Sequence, residues 1–255
     1  MLLLETKGLT KRFGGLFAVN ELDFHINQGE ILGLIGPNGA GKTTVFNLIS
    51  GFLRPNQGSV IFKGYDITGF KPHKIAALGL VRSFQASLLF HNRTVLQNMT
   101  TALYLNHKLN PFISVFNVKS ARKEERRVEQ QAMELLESMG LAQMCSEMAG
   151  SLPHGFQRIL GITVALASNP ELIMLDEPVT GMTAVETATM MDHIRRIREQ
   201  GITVLLVEHD VKAVMNTCNR IVVLNFGRKI AQGTPNDITE NEDVIESYLG
   251  VENGE

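Results

Sequence analysis

The chain has 255 residues, of which 44% are hydrophobic and 20% charged, and its formal net charge at pH 7 is −2. These values are typical of one large globular domain, or of one domain that carries a subdomain. They give no indication of a nucleic-acid surface, so we expect no nucleic-acid partner. Residues 1–4 are apolar but are soon followed by Glu5 and Lys7, so we expect neither a signal peptide nor a membrane-spanning helix there.

The amino-terminal part predicts two strands with a glycine-rich loop between them. Residues 2–8 and 21–27 are typical of strands, the second because its apolar side chains alternate. The predicted loop, residues 12–19, carries Phe13. This ring could stack on an adenine base, or it could simply pack near a core.

The next stretch fits a phosphate-binding pattern. Residues 31–35 form an apolar run suited to a buried parallel strand, residues 36–44 match G-x-x-x-x-G-K-[ST], and residues 45–49 continue as a helix. In this pattern backbone N–H groups and a helix N-terminus surround a polyphosphate, while a lysine and a hydroxyl meet its outer charges and Mg²⁺. An ordinary glycine-rich turn is the alternative, but the order of strand, loop and helix argues against it. The predicted nucleotide-binding residues are Gly36, Pro37, Asn38, Gly39, Ala40, Gly41, Lys42, Thr43 and Thr44.

The middle of the chain changes from strand patterns to helical spacing. Residues 59–62 predict a strand with a turn at 63–66, and residues 80–84 predict another strand. From about residue 86 to 165 the spacing is helical, with Val128, Ala132, Leu135 and Met139 on one face and a charge run at 123–129 interpreted as its solvated side. The apolar segment 110–116 is either subdomain core or a surface that docks on an apolar partner.

Two later apolar runs end in polar side chains. Residues 171–175 precede Asp176 and Glu177, and residues 203–207 precede a segment that contains His209. Because the carboxyl ends of parallel strands line the ligand crevice, we expect Asp176 to organise Mg²⁺ and Glu177 to polarise an attacking water. The alternative is a strand that merely ends in two acids at a surface. His209 could hydrogen-bond a γ-phosphate or the water, or it could be a capping or structural histidine.

The carboxyl-terminal part predicts a hairpin and a helix. Residues 221–224 and 229–231 read as two strands joined at residues 225–228. A short helix follows from about Glu242 to Leu249.

Over nearly its whole length, the sequence resembles the ATP-binding subunit of an ABC transporter. Residues 36–44 match the Walker A motif, Gln85 the Q-loop glutamine, residues 172–177 the Walker B strand with its catalytic glutamate, and His209 the switch histidine. Further segments are similar to the ATPase subunits of bacterial branched-chain amino acid importers. A related lipopolysaccharide-exporter ATPase shares the Tyr-Leu-Gly ending, so the alternative is the ATPase of another ABC system, for lipopolysaccharide export or for import of another solute. The segments similar to the branched-chain amino acid importers are residues 12–16, 81–85, 89–90, 94–95 with Asn98, the insert near 104–125, and the ending 248–250.

The resemblance implies an α/β fold of the ABC-ATPase type of P-loop NTPase, with a mixed β core, an antiparallel β part and a helical subdomain. Residues 1–85 and 166–255 would form the RecA-like core with its β part, and residues from about 86 to 165 the helical subdomain. It also implies that the chain binds and hydrolyses ATP with Mg²⁺. The implied catalytic residues are Glu177, His209, Gln85 and Lys42, the implied Mg²⁺ residues are Thr43, Gln85 and Asp176, and Phe13 and Val19 are further nucleotide-binding residues.

The resemblance further implies partners. Two cassettes would clasp head to tail, each ATP lying between one chain's Walker motifs and the other's signature motif. Their closure would drive integral membrane permease subunits, which contact the cassette near Gln85, and would act indirectly on a solute-binding protein. We expect a cytoplasmic protein, peripheral on the inner face of the cell membrane. The alternatives are a soluble ABC ATPase of translation or DNA repair, and a regulatory subunit with little turnover.

One segment departs from the family pattern. The signature, close to Leu-Ser-Gly-Gly-Gln in the family, falls on residues 152–157, where Pro153 offers neither a hydroxyl nor an N–H, although the helix should still form. Thr183 also replaces the usual aspartate or asparagine of the D-loop. In the family pattern both positions act on the partner's nucleotide. The two changes therefore predict an asymmetric heterodimer in which this chain's Walker site does most of the hydrolysis. The alternative is that the variant motif works adequately. The signature residues are Leu152, Pro153, His154, Gly155, Phe156 and Gln157.

Overall fold

The computed structural model describes residues 1–83, 89–106 and 118–249. Gln85 and the apolar segment 110–116 lie outside these described residues. The described strands are β1 (Leu2–Phe13), β2 (Leu16–Asn27), β3 (Ile31–Ile35), β4 (Gln57–Phe62), β5 (Tyr65–Asp66), β6 (Leu80–Arg82), β7 (Leu172–Asp176), β8 (Thr203–Val207), β9 (Arg220–Asn225) and β10 (Arg228–Gly233). The described helices are α1 (Lys42–Ile49), α2 (Pro72–Ala77), α3 (Val95–Asn106), α4 (Val118–Ser138), α5 (His154–Leu166), α6 (Ala184–Glu199), α7 (Val211–Thr217), α8 (Pro235–Thr239) and α9 (Glu242–Leu249).

The chain divides into two compact units, one formed by Met1–Arg82 with Glu171–Glu255 and the other by Ser83–Pro170. The first unit contains a six-stranded sheet in the order β10-β9-β3-β8-β7-β6. Strands β9, β3, β8, β7 and β6 run parallel, and β10 pairs antiparallel at the edge. Every residue of β3 and β8 is buried, as expected for parallel strands covered on both faces.

The same unit contains a four-stranded antiparallel sheet in the order β2-β1-β4-β5. The predicted loop at residues 12–19 is wrong, because β1 continues to Phe13 and β2 begins at Leu16, which is its partner in the hairpin. Gly14 adopts a φ of 59°, and a two-residue turn that starts with such a residue lets the strands continue to the tip. Phe13 therefore lies at the end of a strand rather than on an open loop.

The second unit is helical in its described part, with α3 packed against α4 and α5. On α4, Val128, Ala132 and Leu136 are buried, as is Met139 just beyond its end, whereas Leu135, predicted for that face, is only half-buried. Positions three and four residues after Ala132 both lie on its helical face, and the structure buries the second of them more deeply. The charge run at 123–129 is exposed at nearly every position apart from Val128, so its interpretation as a solvated face is confirmed.

Most strand predictions are confirmed, including β3, β7, β8 and the closing hairpin of β9 and β10. The helix predicted at Glu242–Leu249 is α9. The turn predicted at 63–66 is shorter, because Tyr65–Asp66 pairs with β4. No helix in the described ranges is both long and apolar enough to cross a lipid bilayer.

Candidate functional site

Three parallel strands, β3, β7 and β8, bring different polar groups to one edge of the six-stranded sheet. Strand β8 lies between β3 and β7, and β6 lies beyond β7. The glycine loop follows β3, Glu177 follows β7, and His209 closely follows β8. Since neighbouring parallel strands end at the same edge, these groups converge without any contribution from the antiparallel sheet.

Two glycines of the loop fit only because they carry no side chain. Gly36 has a φ of 153°, and a Cβ there would lie 2.1 Å from the Leu224 carbonyl oxygen. Gly41 has a φ of 102°, and a Cβ there would lie 2.3 Å from the Ala18 carbonyl oxygen. No side chain caps the start of α1, so its first N–H groups are left for another acceptor. A glycine-lined loop ahead of an uncapped helix is a ready-made anion site.

The Lys42 side chain folds back over this loop. Its Nζ atom donates hydrogen bonds to the carbonyl oxygens of Gly36, at 2.6 Å, and Pro37, at 3.0 Å. Burial lowers the pKa of Lys42, and the nearby negative charge of Glu177 opposes that shift. The two acceptors of the ammonium group are neutral carbonyl oxygens. A negatively charged phosphate oxygen can take their place and forms a stronger hydrogen bond.

The loop opens onto a cleft of about 640 Å³, a volume suited to a small-molecule ligand. Phe17 lines this cleft, whereas Phe13 is not among the lining residues and Val19 is fully buried. Phe226, at the turn between β9 and β10, also lines it and is 84% exposed. The lining residues are Gly15, Leu16, Phe17, Ala18, Asn38, Gly39, Ala40, Gly41, Lys42, Thr43, Thr44, Glu177, His209 and Phe226.

The turn between β9 and β10 and the carboxyl-terminal helix both brace the phosphate loop. The Gly227 N–H donates to the Ala40 carbonyl oxygen at 3.0 Å. Burial raises the pKa of Tyr248 on α9 to about 12, and a hydrogen bond from the Gly36 backbone opposes that shift. Sequence reasoning did not identify Phe17, Phe226 or Tyr248 as site residues, because each reaches the loop from a segment distant along the chain.

Glu177 and His209 form a pair at the floor of the cleft. The Nε2 atom of His209 lies 2.7 Å from Oε1 of Glu177. The Thr180 hydroxyl donates to the other carboxylate oxygen of Glu177 at 3.3 Å. A carboxylate held by a histidine and open to a cleft can accept a proton from water, which is what a general base must do.

Asp176, at the end of β7, is paired with an arginine that sequence reasoning overlooked. An Arg82 Nη2–H donates to Oδ2 of Asp176 at 2.8 Å, and Nη1–H donates to the Asn47 side chain at 2.6 Å. The guanidinium also lies 5.1 Å from the centre of the Phe46 ring. Burial raises the pKa of Asp176, and the charge and hydrogen bond of Arg82 oppose that shift. Arg82 stands three residues before Gln85, inside a segment already compared with the family.

The donor set near the loop fits Mg²⁺. Thr43 presents an exposed hydroxyl to the cleft, and Asp176 supplies a carboxylate at the same sheet edge. Among the described residues no group of three or more His, Cys, Asp or Glu side chains could form a closed metal site. Few protein oxygens, completed by water and phosphate oxygens, are the usual coordination of Mg²⁺ at nucleotide sites.

The signature segment lies in the helical unit and begins α5. Pro153 is the N-cap residue and makes no side-chain hydrogen bond to the helix start, so the prediction that the helix survives is confirmed. The Gln157 side chain points inward and donates to the Leu152 carbonyl oxygen at 2.8 Å. His154 is exposed, and Gly155 and Phe156 are half-buried.

Thr183 has a structural task at the start of α6. Its side-chain oxygen accepts from the Glu186 N–H at 3.3 Å, and the Glu186 carboxylate accepts from the Thr183 N–H at 2.9 Å. This reciprocal arrangement is a capping box. The Thr-x-x-Glu spacing was therefore a helix signal that the sequence analysis missed.

These features define a P-loop nucleotide-binding protein. Comparison with known proteins then gives the family. The model of the family described as ABC transporter matches residues 19–180, and the model described as branched-chain amino acid ATP-binding cassette transporter matches residues 228–253. The chain belongs to the ABC transporter family.

The relatives it resembles cover almost the whole chain. It is 41% identical to the high-affinity branched-chain amino acid transport ATP-binding protein BraF of Pseudomonas aeruginosa, and 40% identical to LivG of Escherichia coli, described in the same words. Both matches cover 97% of this chain and 98% of the relative. The crystal structure of the ADP conformation of MJ1267, an ATP-binding cassette of an ABC transporter, is similar with a TM-score of 0.86 and 32% identity, over 98% of this chain and 99% of that one. The family resemblance and the α/β fold class are both confirmed.

Proposed function

We propose that this chain is the Mg²⁺-dependent ATPase subunit of a membrane importer for branched-chain amino acids. The observation that carries the proposal is the single cleft shared by the phosphate loop, Lys42, Glu177 and His209. The names of the relatives BraF and LivG support the substrate class. The match to the branched-chain amino acid cassette model at residues 228–253 supports it independently.

ATP binding follows from the loop geometry. Backbone N–H groups of residues 36–44 surround the phosphates, and Lys42 exchanges its two carbonyl acceptors for phosphate oxygens. Thr43 and Asp176, together with Gln85 by the family pattern, hold the metal. Mg²⁺, when bound, neutralises charge that develops on the phosphates. Phe17, which lines the cleft, provides an aromatic surface for the adenine ring, and Phe13 on the adjacent strand is the alternative that the family pattern predicts.

Hydrolysis uses the pair at the floor of the cleft. Glu177 orients the attacking water and accepts its proton, while His209 holds the carboxylate through the 2.7 Å contact. Lys42 and the loop N–H groups stabilise negative charge on the transferred phosphoryl group. Arg82 keeps Asp176 oriented at the neighbouring strand end through its 2.8 Å hydrogen bond.

The site requires a second cassette. By the family pattern, a partner's signature motif completes this chain's ATP site, and residues 152–157 of this chain complete the partner's. Because Pro153 offers no hydroxyl or N–H, the second composite site is slower or only holds ATP. Binding and release of ATP then drive permease subunits from the cytoplasmic face of the membrane, and a solute-binding protein delivers the amino acid.

Co-purification and reconstitution test this proposal. The tagged chain is isolated from membranes with the proteins that accompany it, and the complex is placed in proteoliposomes. We expect permease subunits, a second cassette, and ATP-dependent uptake of leucine, isoleucine or valine. ATPase activity without any membrane partner would favour a soluble ABC ATPase, and ATP binding without turnover in the full complex would favour a regulatory subunit. Either result would contradict the proposal.

A further inference from the structure

Glu208 is a buried carboxylate that the mechanism above does not use. It immediately follows β8 and is only 2% exposed. Oε1 of Glu208 accepts the Val179 N–H at 2.7 Å, and Oε2 accepts the His209 N–H at 3.1 Å. One side chain is therefore hydrogen-bonded to both segments that carry the catalytic pair.

The first of these segments is a strained turn. Glu177 has a φ of 49°, a left-handed conformation that costs a non-glycine residue roughly 1–2 kcal/mol. The turn is held by a hydrogen bond from the Glu177 N–H to the Val207 carbonyl oxygen at 2.8 Å and from the Thr180 N–H to the Glu177 carbonyl oxygen at 3.3 Å. The Val179 N–H, which lies between them, has Glu208 as its acceptor. Such strain persists only where the surroundings fix the backbone.

The second segment carries His209 directly. The Glu208 carboxylate bonds the N–H of His209, and the His209 ring contacts the Glu177 carboxylate at 2.7 Å. These contacts close a ring that runs from Glu208 through His209 to Glu177 and back through the turn to Val179. Holding two reacting groups in register matters because a displacement of about 1 Å can cost on the order of 10² in rate.

Stability alone is a poor explanation for this carboxylate. Burial raises the pKa of Glu208, which means that the ionised side chain loses hydration on folding, and its two N–H bonds oppose that shift. An apolar residue would avoid the desolvation cost, but it would leave the Val179 and His209 N–H groups without this acceptor. The feature that only the carboxylate supplies is the link between the two segments.

We infer that Glu208 is a positioning residue that sets the geometry of Glu177 and His209 for ATP hydrolysis. This inference rests on the proposed ATPase function. It predicts that changes at Glu208 lower kcat while leaving ATP binding nearly unchanged, because no atom of Glu208 lines the nucleotide cleft.

The test compares Glu208→Ala and Glu208→Gln with the matched control Glu30→Gln in the reconstituted transporter. Glu30 is another buried carboxylate, and it accepts the Asn27 N–H at 2.7 Å and pairs with Arg220. It precedes β3 at the opposite edge of the sheet. We expect kcat to fall by about 10²-fold in Glu208→Ala and by about tenfold in Glu208→Gln, which keeps one acceptor, with KM for ATP within about threefold. Glu30→Gln should keep kcat within about twofold.

Hydrogen exchange on the full chain is the second readout. We expect faster exchange at the Val179 and His209 amides in both Glu208 variants and no change there in Glu30→Gln. A kcat of Glu208→Gln equal to that of the control, or unchanged exchange at both amides, would overturn the inference even if Glu208→Ala failed to fold. An inactive wild-type transporter would instead contradict the proposed function, and the exchange data would still decide whether Glu208 holds the two segments.

Discussion

The residues that line the cleft and the predicted signature segment differ in the polar groups that they offer to a nucleotide. In the first, Lys42, Glu177 and His209 line one cleft, and each has a defined contact. In the second, Pro153 occupies the helix N-cap without a side-chain hydrogen bond. In the proposed dimer these two sets of residues would serve different nucleotides, so one set can change while the other keeps its polar groups.

Thr183, in the predicted D-loop, also differs from the family pattern. Thr183 keeps the helix-capping task that an aspartate could also perform, since both residues are good N-caps. The threonine therefore keeps the start of α6 capped. Any effect of this residue on a partner's nucleotide belongs to the proposed dimer.

Lys42→Ala should have the largest effect, because it removes the ammonium group among the described residues that line the cleft. A hydrogen bond to a charged group contributes about 1.5–3 kcal/mol, which corresponds to roughly ten- to hundredfold in affinity. We expect ATP affinity of the purified chain to fall by at least about tenfold, measured with a fluorescent nucleotide. Lys74→Ala, on the exposed face of α2, is the control. Unchanged affinity in Lys42→Ala would mean that the phosphate loop is not the nucleotide site.

Pro153→Ser tests the predicted signature segment. The serine restores a hydroxyl and an N–H at the helix start, and one lost donor at a transition state can cost about 10²–10³ in rate. We expect ATPase activity of the complex to rise by up to about twofold, since the restored site can at most match the site that already hydrolyses ATP. The control is Pro72→Ser, a proline at the start of α2 in the other unit. Activity equal to that of the wild type would favour a variant motif that already works adequately.

Thr183→Asp should have the smallest effect. Aspartate accepts the Glu186 N–H as threonine does, but it cannot replace the hydrogen bond of 2.8 Å that the Thr183 hydroxyl donates to the Glu186 carboxylate. We therefore expect the free energy of unfolding to fall by about 1 kcal/mol. ATPase activity of the complex should rise by no more than about twofold, because the D-loop residue supports the partner's site without being the acid or base. Chemical denaturation and steady-state kinetics measure the two quantities. A large loss of stability would show that the capping account of Thr183 is wrong.

The sequence predicted the sheet and the chemistry near it because both depend on local patterns. The strand, glycine loop and helix at residues 31–49 have a spacing that few other structures share, and the apolar run before Asp176 indicates a buried parallel strand. The hairpin tip was missed because alternation weakens at Gly14 and Gly15, although two glycines between apolar runs are a turn signal. Helix α6 was missed because the spacing of Thr183 and Glu186 was not interpreted as a capping box.

Contacts between distant segments could not be predicted. Arg82 meets Asp176 across 94 positions of sequence, and Glu208 meets Val179 across 29. The residues around Arg82 and Glu208 do not indicate which groups these side chains will contact, because the order of the strands in the sheet decides which groups lie nearby. The roles of Phe17 and Phe226 likewise follow from two hairpin tips that meet the phosphate loop.

We expect this chain's own Walker site to perform most of the hydrolysis in the assembled transporter. Glu177→Gln tests it directly, because the amide keeps the shape of the side chain but cannot take a proton from water. In the reconstituted complex we expect ATPase activity to fall by about tenfold or more, with ATP still bound, and the matching substitution in the second cassette to lower it much less. Full retention of ATPase activity in Glu177→Gln would contradict the account.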